Sequence, residues 1–112
     1  MIDWTRVAEL RTEIGDEDFA EVVTLFLEEA DEAVQGLAGC QAARALESTL
    51  HFLKGSALNL GFQTLARLCQ DGERRAAAGE AGIDVGAIAS AYESSKISLA
   101  AGRAAPGDSR AA

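Results

Sequence analysis

The sequence predicts an all-α fold, an antiparallel up-and-down four-helix bundle with an additional short N-terminal helix. Three observations carry that expectation. Apolar residues recur three and four positions apart in five separate segments, the spacing of one face of a helix. The chain is rich in Ala, Leu and Glu and holds a single Pro, a composition that favours helix over strand. Short connections separate the segments, so consecutive helices should run antiparallel. A chain of 112 residues fits one domain and can bury a modest core. Only 5% of it is aromatic, so Leu, Val, Ile and Ala must build that core.

Asp3 is placed to cap a short first helix carrying Val7, Leu10 and Ile14, which Gly15 ends. Asp16 is expected to cap a longer second helix. Its apolar residues Phe19, Val22, Val23, Phe26, Leu27, Ala30, Val34 and Leu37 keep to one stripe. Glu17, Asp18 and Glu21 fall in its first turns, where the helix dipole favours negative charge, and Gly36 and Gly39 close it. A third helix spans about Gln41 to Leu60, with Gly61 just past its end. The fourth starts after Phe62 and carries Leu65, Leu68, Cys69 and Ala76; Gly79-Glu80-Ala81-Gly82 reads as a turn. A fifth, capped by Asp84, presents Val85, Ile88, Ala89, Tyr92 and Leu99. The bundle thus occupies residues 1–101. Residues 102–112, with nothing to bury, are expected to form a disordered tail. The chain shows no internal repeat.

The net charge of −8 argues against nucleic acid and anionic membranes as partners. Cys40 and Cys69 are too few for a disulfide framework or a zinc cluster, and Cys69 reads as a small core residue. The start lacks the basic and apolar regions of a secretory signal, and no apolar run approaches the roughly 18–20 residues that cross a bilayer. We therefore expect a soluble, cytoplasmic protein. A monomer is expected, because its polar faces look well covered with charge.

The third helix holds the chemistry. Its core stripe is Leu46, Leu50, Leu53, Ala57 and Leu60. At roughly 100° per residue, His51 projects about 140° from the centre of that stripe, so the chain's only histidine points outward. A lone surface histidine is usually incidental, but the neighbours of this one change that reading. Lys54 lies one turn on. Gly55 follows at i+4, and a glycine in a helix interior costs about 0.5–1 kcal/mol relative to alanine. Close approach of another molecule would explain it. Leu58, at i+7, adds an apolar residue to the same outward stripe, as the centre of a docking patch would.

The stretch His51-Phe52-Leu53-Lys54-Gly55-Ser56-Ala57-Leu58-Asn59-Leu60-Gly61 resembles the motif of the histidine-containing phosphotransfer (HPt) family, H-x-x-K-G-S followed by a glycine at the helix end. Leu65, Leu68, Cys69 and Glu73 continue the family's pattern on the next helix, and the resemblance spans roughly residues 3–100. It implies a phosphocarrier that accepts a phosphoryl group on His51 from a response-regulator receiver aspartate and passes it to another receiver. The implied partners are receiver domains, a hybrid histidine kinase, or both. No ATP site is implied, and the chain has no P-loop or kinase-type glycine loop. Glu73 matches the position where the family carries Glu or Gln facing the histidine; Gln70, one turn earlier, is the other candidate. An acceptor there would fix the tautomer and leave Nε2 free to carry phosphate. Lys54 would hold the phosphoryl oxygens as a compact point charge. Ser56 and Asn59 turn to the bundle flank, for packing or helix-end hydrogen bonds. No cofactor is expected on this chain; Mg²⁺ belongs to the partner receiver.

Two rivals remain at this stage. One is a non-catalytic helical adaptor with an incidental histidine, which predicts no stable phosphorylation of His51. The other is the phosphoacceptor module of a larger chemotaxis-type histidine kinase. The complete-looking N-terminus and the dwindling C-terminal residues lead us to expect a stand-alone protein instead. A di-iron bundle enzyme fails, because such sites need several inward His and Glu ligands.

Overall fold

The computed structural model describes residues 2–37, 39, 42–80 and 82–104. The expected five helices are present: α1 (Trp4–Ile14), α2 (Asp16–Leu37), α3 (Ala43–Leu60), α4 (Gln63–Ala77) and α5 (Val85–Ala104). Among the described residues the only extended pairing is an isolated antiparallel bridge between Ile2 and Phe62. α3 packs along α4 and against α2, while α5 packs against α4 and α2. The helices α3 and α5 therefore occupy diagonal corners of the bundle, and α1 lies across α2 and α3.

Local chemistry explains the helix ends. The Asp3 carboxylate accepts the backbone N–H of Arg6 at 3.2 Å, capping α1 as expected. Asp16, in contrast, is not a cap. It is the first residue of α2, and the Gly15 carbonyl accepts the N–H of Phe19 at 3.0 Å. Gly15 also donates to Arg11 O at 2.8 Å, so a single residue both ends α1 and starts α2. That leaves no position for a separate cap. Gly36 lies inside α2, which runs one residue further, to Leu37. Gln41 and Cys40 lie outside the described residues, and α3 is helical from Ala43.

The end of α3 is tightly specified. Gly61 takes a left-handed conformation (φ 75°), Phe62 N–H bonds Ala57 O at 2.8 Å, and Gly61 N–H bonds Leu58 O at 3.4 Å. This is a Schellman turn, which glycine enters without the Cβ penalty of other residues. Asp3 N–H then donates to Gly61 O at 2.7 Å, and a Cβ on residue 61 would stand 2.6 Å from Asp3 O. Gly61 thus ends α3 and also seats the N-terminal segment.

Tyr92, Phe62, Leu50, Leu53, Leu60, Leu65, Leu99, Val23 and Cys69 form the fully buried centre. Gly72 on α4 lets α3 approach closely, because a Cβ there would meet Leu50 Cδ1 at 2.9 Å. Across the bundle, Tyr92 donates its hydroxyl to Asp31 at 2.5 Å and lies 3.0 Å from Leu27 O, while Lys96 Nζ pairs with Asp31 at 3.0 Å. These contacts tie α5 to α2.

α5 continues to Ala104, past the boundary at 102 that the sequence suggested. The Trp4 ring occupies the space a side chain on Gly102 would need, so the helix end is packed against α1. Residues 105–112 of the expected tail lie outside the described residues. Among the described residues no helix is long and apolar enough to cross a membrane. α2 carries eight acidic residues and no basic one, equal to the whole net charge of −8; the other ten acids balance the ten bases.

Candidate functional site

α3 and α4 run side by side, and this brings together three side chains that the sequence singled out. His51 projects from α3 with its side chain 69% exposed. Its Nδ1 lies 2.7 Å from Glu73 Oε2, a hydrogen bond reaching across to α4. Lys54, one turn along α3, places Nζ 2.9 Å from the other oxygen, Glu73 Oε1. Oε1 is buried and lacks a well-aligned hydrogen bond, so the Lys54 ammonium is its compensating charge. Lys54 is therefore turned toward Glu73 rather than standing free beside the imidazole.

The carboxyl of Glu73 is held below the usual carboxylate range. The Lys54 ammonium is the main cause, burial works against it, and His51 adds to the lowering. Glu73 therefore stays ionised at neutral pH and acts as an acceptor. Nδ1 then donates its proton to Oε2, and the lone pair of Nε2 faces solvent. Gln70 is exposed, and the carboxylate of Glu73 is the group that meets Nδ1. Beneath the pair lies Cys69, whose thiol burial and the Glu73 charge push up to about 12. It stays neutral and serves as packing.

Gly55 lies one turn beyond His51, and a Cβ added there would meet nothing within 4 Å. The glycine leaves open space rather than relieving a contact within the chain. Leu58 is 57% exposed on the same side of α3. Phe52, which the sequence reading left unassigned, is also exposed, at 43%. It lies off the core stripe, and the helical arithmetic that turned His51 outward could have found it. Asn59, expected on the flank, accepts from Arg6 Nη2 at 3.1 Å and so joins α3 to α1. Ser56 is buried on the packing side.

Among the described residues no group of three or more His, Cys, Asp or Glu is placed to hold a metal ion. The arrangement offers one exposed nucleophilic nitrogen, a carboxylate that fixes its tautomer, a lysine that holds the carboxylate, and a partly apolar approach. A family model described as Hpt domain matches residues 21–100, from within α2 through most of α5. α1 lies outside that match. No curated protein and no solved structure matches the chain.

Proposed function

The chain belongs to the Hpt domain family, whose members are phosphocarriers that act in phosphorelays and engage response-regulator receiver domains; on that premise we propose that His51 is the residue that carries the phosphoryl group. The observation that carries the reading is the 2.7 Å contact between Nδ1 and Glu73 on an otherwise exposed ring. It leaves Nε2 as the attacking atom.

Phosphoryl transfer requires in-line approach and neutralisation of charge, with little covalent help from the protein. In this reading Nε2 enters opposite the leaving oxygen of a receiver's aspartyl phosphate. The P–O bond breaks, the P–Nε2 bond forms, and the aspartate leaves as a carboxylate. The ring gains positive charge as the bond forms, and the ionised Glu73 beside Nδ1 stabilises it. Lys54 first holds Glu73 and, one turn from His51, can exchange toward the incoming phosphoryl oxygens. Magnesium sits in the receiver, and this chain needs no cofactor of its own. Gly55 and Leu58 give the receiver's active-site loops a close, partly apolar seat, and the protein works in the cytoplasm.

The test is incubation with a pre-phosphorylated receiver and magnesium. An acid-labile, base-stable phosphate should appear on the chain and should be absent from His51→Gln, which should fold normally. Labelling of His51→Gln at the wild-type level would overturn the assignment.

A further inference from the structure

We propose that this chain selects receivers by charge: the α2 side of the His51 face takes a receiver surface that is apolar at its centre and rich in lysine and arginine around it. The proposal rests on His51 as the acceptor and names the partner surface that brings an aspartyl phosphate to it.

Of the four large apolar side chains that stand exposed among the described residues, Leu25, Phe52 and Leu58 lie on α2 and α3, and Ile97 lies apart on α5. Phe52 is two turns before Asn59 on the same flank of α3, and Asn59 meets Arg6 of α1. That flank is turned away from α4, which His51 and Lys54 reach through Glu73. Leu25 is 53% exposed. It stands about 120° round α2 from Asp31, which marks the α5 side through Tyr92 and Lys96. Leu25 is twelve residues before the end of α2, and Gly55 is twelve after the start of α3. The two therefore stand at about the same height on helices that pack side by side.

Charge is unequal on the two sides of His51. Glu21, Glu28, Glu29 and Glu32, all exposed, are the i−4, i+3, i+4 and i+7 neighbours of Leu25 on the surface of α2. On the other side, the exposed residues of α4 include Arg67, Gln70 and Arg74, with no large apolar side chain among them.

A receiver that reaches His51 must cover one of these sides. An interface of ordinary size takes about 800 Å² from each partner, a disc of roughly 16 Å radius. Neighbouring helix axes are only about 8–10 Å apart. The apolar side chains favour the α2 side, since aromatic and aliphatic anchors form the centre of such interfaces. Charge then fixes how the receiver is turned. Its magnesium-binding pocket is acidic, so α2 repels it and the arginines of α4 attract it. The part that covers Leu25 and Phe52 sits among four glutamates and is complementary only if it is basic.

Two receiver domains test this, both phosphorylated with acetyl phosphate and magnesium. One carries several lysines and arginines beside its aspartate, and the other carries acids there. The basic one should transfer to the chain about tenfold faster or more at low salt. That advantage should shrink as salt rises from about 0.05 M to about 0.5 M. Glu28→Lys combined with Glu29→Lys should narrow the gap between the two. Leu25→Ala and Phe52→Ala, at exposed positions, should melt near wild type yet raise KM for the basic receiver by about tenfold, with kcat little changed. Equal transfer from both receivers overturns the proposal, as does a preference that the lysines leave intact or a wild-type KM in both alanine variants. Phosphoramidate, a small donor that needs no docking surface, separates this from the acceptor assignment. If it labels wild type but not His51→Gln while neither receiver transfers, the docking surface is wrong and the acceptor stands. Labelling of His51→Gln at the wild-type level overturns both.

Discussion

Glu73 and Asp31 each hold a lysine and a ring-bearing side chain, on opposite sides of the bundle. Glu73 joins α4 to α3 through His51 and Lys54; Asp31 joins α2 to α5 through Tyr92 and Lys96. Both carboxyls are held below their usual range. The ring makes the difference. His51 stands mostly in solvent, while Tyr92 is fully buried beneath Lys96, whose Nζ lies 4.6 Å from the ring centroid. The same connections therefore leave one ring presented to solvent, where we propose the phosphoryl group is carried, and enclose the other in an inter-helix tie. Exposure, rather than the set of partners, separates the two.

Removing each ring's polar function should break this comparison most visibly. Tyr92→Phe takes away a buried hydrogen bond to a charged acceptor and should cost about 1.5–3 kcal/mol in thermal or urea unfolding. His51→Gln, on the exposed ring, should stay within about 0.5 kcal/mol of wild type. If the two cost the same, the clusters are not a tie and a site. The pH dependence sharpens the contrast. Burial, and then the Asp31 charge, push the Tyr92 hydroxyl well above its ordinary value. The unfolded chain then loses this proton first, so stability falls as pH rises past about 10, the ordinary tyrosine value. That alkaline loss should be smaller in Tyr92→Phe.

The lysines should come apart next. Lys54 is the first cause of the lowered Glu73 value, whereas Tyr92 is the first cause for Asp31. Lys54→Ala should therefore raise the Glu73 titration clearly in carboxyl-carbon NMR, and Lys96→Ala should move Asp31 less. A lowered carboxyl contributes stability above its unfolded value and loses it as pH falls through the folded value. The stability that Glu73 loses as pH falls between its unfolded and folded values should accordingly be smaller in Lys54→Ala than in wild type. Equal shifts in the two variants would remove the distinction.

The smallest effect on stability belongs to Gly55. With open space around it, Gly55→Gln should melt at or slightly above wild type, by up to about 1 kcal/mol, from helix propensity alone. It should nonetheless accept phosphate from a receiver more slowly, as should Leu58→Glu. A variant that melts lower and transfers normally would mean that the glycine serves packing.

The site was more legible than the tie, for a physical reason. His51, Lys54 and Gly55 are neighbours on one helix, so periodicity alone puts them on one outward face, and the resemblance supplied Glu73 from the next helix. Tyr92 was readable only as an apolar-face residue, because its partner Asp31 is 61 positions away and no local spacing links them. Gly72 drew no attention either, since its value lies in the Leu50 methyl that approaches it from α3. The cap at Asp16 was misplaced because glycine can do the same work through its carbonyl. Along α5, core positions such as Ile88, Tyr92 and Leu99 were evident.

The ring of Trp4, laid across the backbone of Gly102, has a practical consequence. It is the chain's only tryptophan, and it sits where the first helix meets the end of the last. Its fluorescence is thus a built-in gauge of whether those two ends are seated. Emission should shift to the red when α1 lifts away, without any label near His51 and before the core beneath Phe62 is wetted.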